Sequence, residues 1–232
     1  MKKHYLILKS ILILLLVILT KVASAQVTAG PSTTTPIPTV TADADKFVCS
    51  GTSISLSGPG DPAAGGAAYT KYHWYKIIGG STQEATAQTG INYSEASGAP
   101  GYYEYRLVTE NANGCLSPMS NMIKVYVLPP INAAVTATFT TLCSGVGSTV
   151  LTANVTAPTG YTLNYQWTLG GTPISPAQTG NTLTVSSPTV VVNTTLNYAV
   201  NISYALNSSC SVSPSQSILI VPLPGQPAIT VN

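Results

Sequence analysis

Few residues of this chain have side chains suited to chemistry. His73 is one of two histidines, and Glu84, Glu95, Glu104 and Glu110 are the carboxylates that would have to accompany it in a hydrolytic site. General acid–base catalysis needs a group that titrates near working pH. In Tyr72-His73-Trp74 strand alternation sends His73 to the face opposite Trp74, toward solvent. No Gly-x-Ser-x-Gly elbow offers a nucleophile. His73 therefore reads as a surface histidine, and no catalytic residue is assigned. Asp43 and Asp45, with Asp61 further along, form the one acidic cluster to weigh for calcium. Calcium takes six to eight oxygens, and no loop pattern here supplies them. No metal and no cofactor is expected.

The four cysteines, Cys49, Cys115, Cys143 and Cys210, are the other reactive groups. Zinc sites usually show close cysteine pairs or nearby histidines, and this chain has neither. In an exported chain such cysteines form disulfides. Of the three possible pairings, recurrence of the spacing favours Cys49–Cys115 and Cys143–Cys210.

Export is read from the first residues. Lys2 and Lys3 precede an apolar run from Ile11 to Leu19, and Ala23-Ser24-Ala25 offers small residues for cleavage between Ala25 and Gln26. The run is short for a membrane span. Four of the nine basic side chains (Lys2, Lys3, Lys9 and Lys21) lie in this leader. The remaining five face seven acidic ones, a balance of −2 rather than the +2 of the full chain. No basic patch is left for nucleic acid or an anionic membrane surface. All of those charges lie between Asp43 and Lys124, and from Val125 to Asn232 there is no Asp, Glu, Lys, Arg or His.

The elements that carry these residues come in two copies. Cys49-Ser50-Gly51 is matched by Cys143-Ser144-Gly145, Tyr72-His73-Trp74 by Tyr165-Gln166-Trp167, and Cys115 by Cys210. The offsets are 94, 93 and 95 residues. Such self-similarity marks a tandem repeat. It divides the chain into a signal peptide (1–25), a Thr/Pro-rich linker (26–39), a first repeat (40–128), a second repeat (129–221) and a linker (222–232) that resembles the opening of a truncated third repeat. Pro129-Pro130 marks the junction, since proline donates nothing to a sheet ladder.

Within each copy the pattern is that of strands. Tyr103, Tyr105 and Leu107 alternate with Glu104 and Arg106; Leu196, Tyr198, Val200, Ile202 and Tyr204 alternate with polar or small residues. Asn113-Gly114 is a favoured turn pair. Short strands at regular spacing predict an all-β fold, two tandem sandwich domains of about 100 residues each. Trp74, Tyr105, Trp167 and Tyr198 are the expected core. Tyr69, Tyr102, Tyr126 and Tyr161 fall in loops or on faces not obviously buried.

Cys-x-Gly, alternating β residues, Tyr-x-Trp, a Tyr-rich strand and then Asn-Gly-Cys resemble the immunoglobulin-like and PKD-like repeats of secreted and surface proteins of the Bacteroidota, including gliding-motility-associated and adhesin-like chains. The resemblance covers both repeats. It implies an immunoglobulin-like sandwich serving as a spacer or adhesive module, secreted or at the cell surface. It also implies an extracellular protein or glycan partner, or further repeats of a longer chain, and no nucleic acid or inserted membrane. The second cysteine departs from the antibody pattern. It follows the strand tyrosine by ten or twelve residues rather than two, so each bridge is expected to clamp one end of its sandwich. The alternatives are a carbohydrate-binding module, which needs exposed aromatics beside amides, and a β-sandwich hydrolase, which needs paired carboxylates in a cleft.

Overall fold

The computed structural model describes residues 27–156 and 159–229. The expected leader and the expected cleavage point between Ala25 and Gln26 lie outside the described residues, as do the last three residues of the chain. The fold is all-β. In chain order the strands are β1 (Lys46–Cys49), β2 (Ser53–Ser57), β3 (Gly60–Asp61), β4 (Ala67–Ala68), β5 (Lys71–Ile78), β6 (Ser81–Glu84), β7 (Asn92–Ala96), β8 (Gly101–Glu110) and β9 (Ile123–Leu128). Then follow β10 (Asn132–Ala137), β11 (Thr141–Cys143), β12 (Ser148–Thr156), β13 (Leu163–Leu169), β14 (Thr172–Pro173), β15 (Thr182–Ser186), β16 (Thr194–Tyr204), β17 (Ser211–Val212) and β18 (Ser215–Val221).

The chain packs as two compact units. Of the described residues, the first holds 27–34, Ser53–Gly98 and Tyr102–Val125; the second holds Thr35–Thr52, Ala99–Gly101 and those from Tyr126 onward. In the first unit β9, β8, β5 and β6 lie side by side in that order, and β2 pairs with β7 in a second sheet. In the second unit β10-β12-β15 form one sheet and β11-β18-β16-β13-β14 the other, with β17 on β16. Each unit is a sandwich whose interior is filled by the inward half of each alternation. Trp74 and Tyr105 are buried in the first, Trp167 and Tyr198 in the second. Each indole N–H is also satisfied the same way. Trp74 Nε1 donates to Gly90 O at 3.0 Å and Trp167 Nε1 to Gly180 O at 2.9 Å, so the polar edge of a buried tryptophan costs nothing.

Tyr102 and Tyr126 are buried, against the expectation that they lie on open faces. Tyr126 belongs to an aromatic cluster of the second unit. Its hydroxyl pairs with that of Tyr161, its ring meets Phe47 at 6.1 Å, and Tyr161 meets Tyr204 edge-on at 5.3 Å. Burial pushes the Tyr204 phenol up to about 12, and its hydroxyl donates to Pro129 O.

The cysteine pairing is also corrected. Cys49 is bonded to Cys210, 161 residues away, while Cys115 and Cys143 are free and exposed. Strand direction excludes Cys143–Cys210. Cys143 is aligned with Val221, and the neighbouring Ile220 lies opposite Thr194 at the start of β16; Cys210 comes after Tyr204 at its end. The eleven residues of β16 hold those ends roughly 30 Å apart. Cys49 is placed in the same way: Ser50 N–H donates to Leu128 O at the C-terminal end of β9, whereas Cys115 precedes the start of that strand. What brings Cys49 to Cys210 is the turn after β16, where Asn207 Nδ2 donates to Phe47 O at 2.9 Å.

Candidate functional site

The titratable residues of the first unit gather on β5 and its neighbours, one set on each face. Gly79-Gly80, both at positive φ, make a two-residue hairpin loop between β5 and β6. That loop sets the register at Ile78 opposite Ser81, and therefore Glu84 opposite Tyr75. On the other side Glu110 lies opposite Lys71. Both glutamates are thus diagonal neighbours of His73, within reach of its ring. His73 Nδ1 lies 2.7 Å from Glu84 Oε1, and Nε2 lies 3.1 Å from Glu110 Oε2.

Carboxylates only accept, so this placement favours the protonated ring, in which both nitrogens donate. The hydrogen bond to Glu84 is the main reason the His73 pKa stands above the ordinary value; Glu110 adds to it and partial burial opposes it. A ring with both nitrogens so engaged has no lone pair for a general base. It serves as a three-strand tie. Its folded-state pKa is raised, so its contribution is fully present below about pH 6.5 and is lost as pH rises through the folded-state value. The stability difference between the wild type and His73→Gln should therefore be larger at pH 5.5 than at pH 8.5. Equal differences in urea melts at the two pH values would remove the tie from the account.

The inner face holds what sequence reasoning missed. Lys76 follows Tyr72 and Trp74 in the alternation, and it is fully buried. Its ammonium donates to Glu95 Oε1 at 2.6 Å and to Thr28 O at 3.2 Å, and lies 4.8 Å from the centre of the Tyr103 ring. Tyr93 donates to the other Glu95 oxygen. Burial first, then the Glu95 hydrogen bond for Tyr93 and the Glu95 charge for Tyr105, hold both phenols well above the usual tyrosine range. The signal was present in the period of two, which puts residue 76 on the face of residues 72 and 74.

Of the four glutamates weighed for hydrolysis, Glu84 and Glu110 are engaged by His73 and Glu95 by Lys76, while Glu104 lies 3.9 Å from Lys124. Asp43 Oδ2 accepts the Thr39 and Val40 N–H groups at 2.7 and 3.1 Å; these bonds, Val40's first, hold its carboxyl below the usual range. Asp61 accepts the Ala63 N–H and caps a short turn. Among the described residues no group of three or more His, Cys, Asp or Glu is arranged to hold a metal ion.

The first unit also carries an open groove of about 550 Å³. Tyr69, Leu56 and Ile123 give it an apolar floor, with Arg106, Ser120 and Asn121 at its polar side. Arg106 Nε is buried there without a hydrogen-bond partner. Trp74 lines it but is only 4% exposed, so it is a core residue and not a stacking platform.

No family model matches the chain, and no curated protein matches it. Among solved structures it is similar to fibronectin(III)-like modules of Clostridium thermocellum CbhA, at 13% identity and a TM-score of 0.42, over 81% of this chain and 96% of that one. It is similar to the FN1–FN3 domains of chicken CNTN1, at 12% identity and a TM-score of 0.42, over 84% and 67% of the two chains. A third likeness is to three N-terminal domains of the bacteriophage RB49 outer capsid protein Hoc, at 15% identity and a TM-score of 0.34, over 74% and 55%.

Proposed function

We propose that the chain is an exported, non-catalytic structural or adhesive module, a spacer or surface-interaction domain of a bacterial secreted or cell-surface protein. The observation that carries this reading is the Cys49–Cys210 bond. Once β18 peels from β16 and β11, a pull applied ahead of Cys49 and behind Cys210 travels through the sulfurs, and the chain between them is not extended. Such a short circuit suits a module that must hold its length under load. The engagement of His73, Glu84, Glu95 and Glu110 in structural pairs supports it from the chemical side.

Force spectroscopy tests this. The 161 residues spanned by the bond correspond to a contour length of about 560 Å at ~3.5 Å per residue. A chain held by its termini should withhold that length until reductant is added. Release of the full length without reductant would contradict the mechanical role.

The second reading, a carbohydrate-binding module, is favoured by the first-unit groove, where Tyr69 and Asn121 accompany the unpartnered Arg106 Nε. It predicts retention on a glycan array that Arg106→Ala weakens about tenfold, the scale of one lost charge-assisted hydrogen bond. An array that retains nothing disposes of it.

A further inference from the structure

The two free cysteines stand where the bonded ones stand, one repeat apart. Cys143 occupies the place of Cys49: Ser144 N–H donates to Val221 O at 2.8 Å as Ser50 N–H does to Leu128 O at 3.0 Å, and Val146 N–H returns to Cys143 O as Thr52 N–H does to Cys49 O. Cys115 occupies the place of Cys210. Each follows an asparagine turn after the long strand, Asn111 Oδ1 accepting from Asn113 N–H and Asn207 Oδ1 from Ser209 N–H, both at 3.0 Å.

The surface beside them follows the same equivalence. Cys49, Ser50, Pro129 and Pro130 form one wall of a small hollow whose other wall is Tyr204 with the Cys210–Val212 segment. Around Cys143 the corresponding Ser144, Pro222 and Leu223 line an open hollow of about 420 Å³. Val191, Val146 and Leu223 are exposed there at 89, 57 and 55%. Beside Cys115, Leu116 is exposed at 61%.

We infer that Cys143 of one copy bonds to Cys115 of a second copy, the turn around Asn111–Leu116 seating over Val146, Val191 and Leu223 as the Cys210 turn seats beside Cys49. This goes beyond the spacer reading and rests on it only for export to a compartment that supplies a disulfide oxidant. The two surfaces differ, so the contact is head-to-tail, Cys115 of one copy meeting Cys143 of another. The oxidant is a small disulfide of the exported compartment. The Cys143 thiolate attacks it, forming a mixed disulfide and releasing one thiolate. The Cys115 thiolate of the second copy attacks the Cys143 sulfur and releases the other. The two cysteine thiols give up two protons and two electrons, and the oxidant leaves as two thiols. Asn111 stands where Tyr204 stands, its N–H donating to Cys115 O as the Tyr204 N–H does to Cys210 O, and it supplies no ring, so the seat is filled less well than its counterpart. Reduction should therefore return monomers.

The test uses the mature full chain with glutathione disulfide as oxidant. Wild type should give disulfide-linked species of two or more copies on non-reducing gels, with Cys115–Cys143 as the cross-link in mass maps. Cys115→Ser and Cys143→Ser each keep one free thiol. Mixed, they should form a dimer that cannot extend, about tenfold faster than either alone forms its own, because only the mixture brings unlike surfaces together. Failure of wild type to pass beyond monomer overturns the inference. So do like-with-like dimers forming as fast as mixed ones, or maps dominated by Cys115–Cys115 or Cys143–Cys143.

Discussion

Replacing Cys210 by serine, or reducing its bond to Cys49, is expected to lower the stability of the second unit by up to about 5 kcal/mol. That figure is the loop-closure entropy of a span of 161 residues in the chain-entropy model. The logarithm makes it robust: if the first unit stays folded and shortens the free loop by about 70 residues, the loss falls by only a few tenths of a kcal/mol. In a domain of this size such a loss moves the melting temperature down by about 10–20 °C. Trp167 is fully buried in the second unit and Trp74 in the first. Fluorescence of a Trp74→Phe variant would follow the second unit by itself. A melting point that reductant leaves unmoved would mean that the bond does not hold this unit together.

The second large effect is in the first unit. Lys76→Met should cost about 3 kcal/mol, because it leaves Glu95 partly buried with its charge unmatched. Glu95→Met should cost more, since it strands an ammonium that is wholly enclosed. The double replacement should recover at least half of either loss, because burying two apolar side chains avoids desolvating two charges. Denaturant melts followed at Trp74 give the three values and hence the coupling. Additive single losses, or a Lys76→Met change below about 0.5 kcal/mol, would show that the pair is not the anchor of this interior.

Much of the fold was legible because sandwiches are written in a period of two. The alternation in Tyr103-Glu104-Tyr105-Arg106-Leu107 fixed which side of β8 faces inward, and the two Tyr-x-Trp motifs marked equivalent core strands. The same alternation carried the Lys76 position, though a lysine there goes against the usual preference for water. The His73 tie needed the hairpin register as well, which the Gly79-Gly80 loop sets and the alternation by itself does not carry.

The cysteine pairing was not legible, for a definite reason. Recurrent spacing shows that Cys49 matches Cys143 and that Cys115 matches Cys210. It says which cysteines are equivalent, and equivalence is silent on which are partners. Pairing within a repeat and pairing from one repeat to the next give the same spacing pattern. What decides is direction along β16 and β9, which puts the two cysteines of one repeat at opposite strand ends, and the Asn207–Phe47 bond that brings the other pair together. Tyr126 was misplaced for a related reason: its neighbours Tyr161 and Phe47 come from distant parts of the sequence.

One map would weigh all of this. The protein should be alkylated as it is released, held as monomer and digested without reduction. Its peptides should then show residue 49 joined to residue 210, with the thiols at 115 and 143 both carrying the alkyl tag. Fragments joining 49 to 115 and 143 to 210 would instead mean that each repeat closes on itself, and the force path and the head-to-tail assembly would fall with that result.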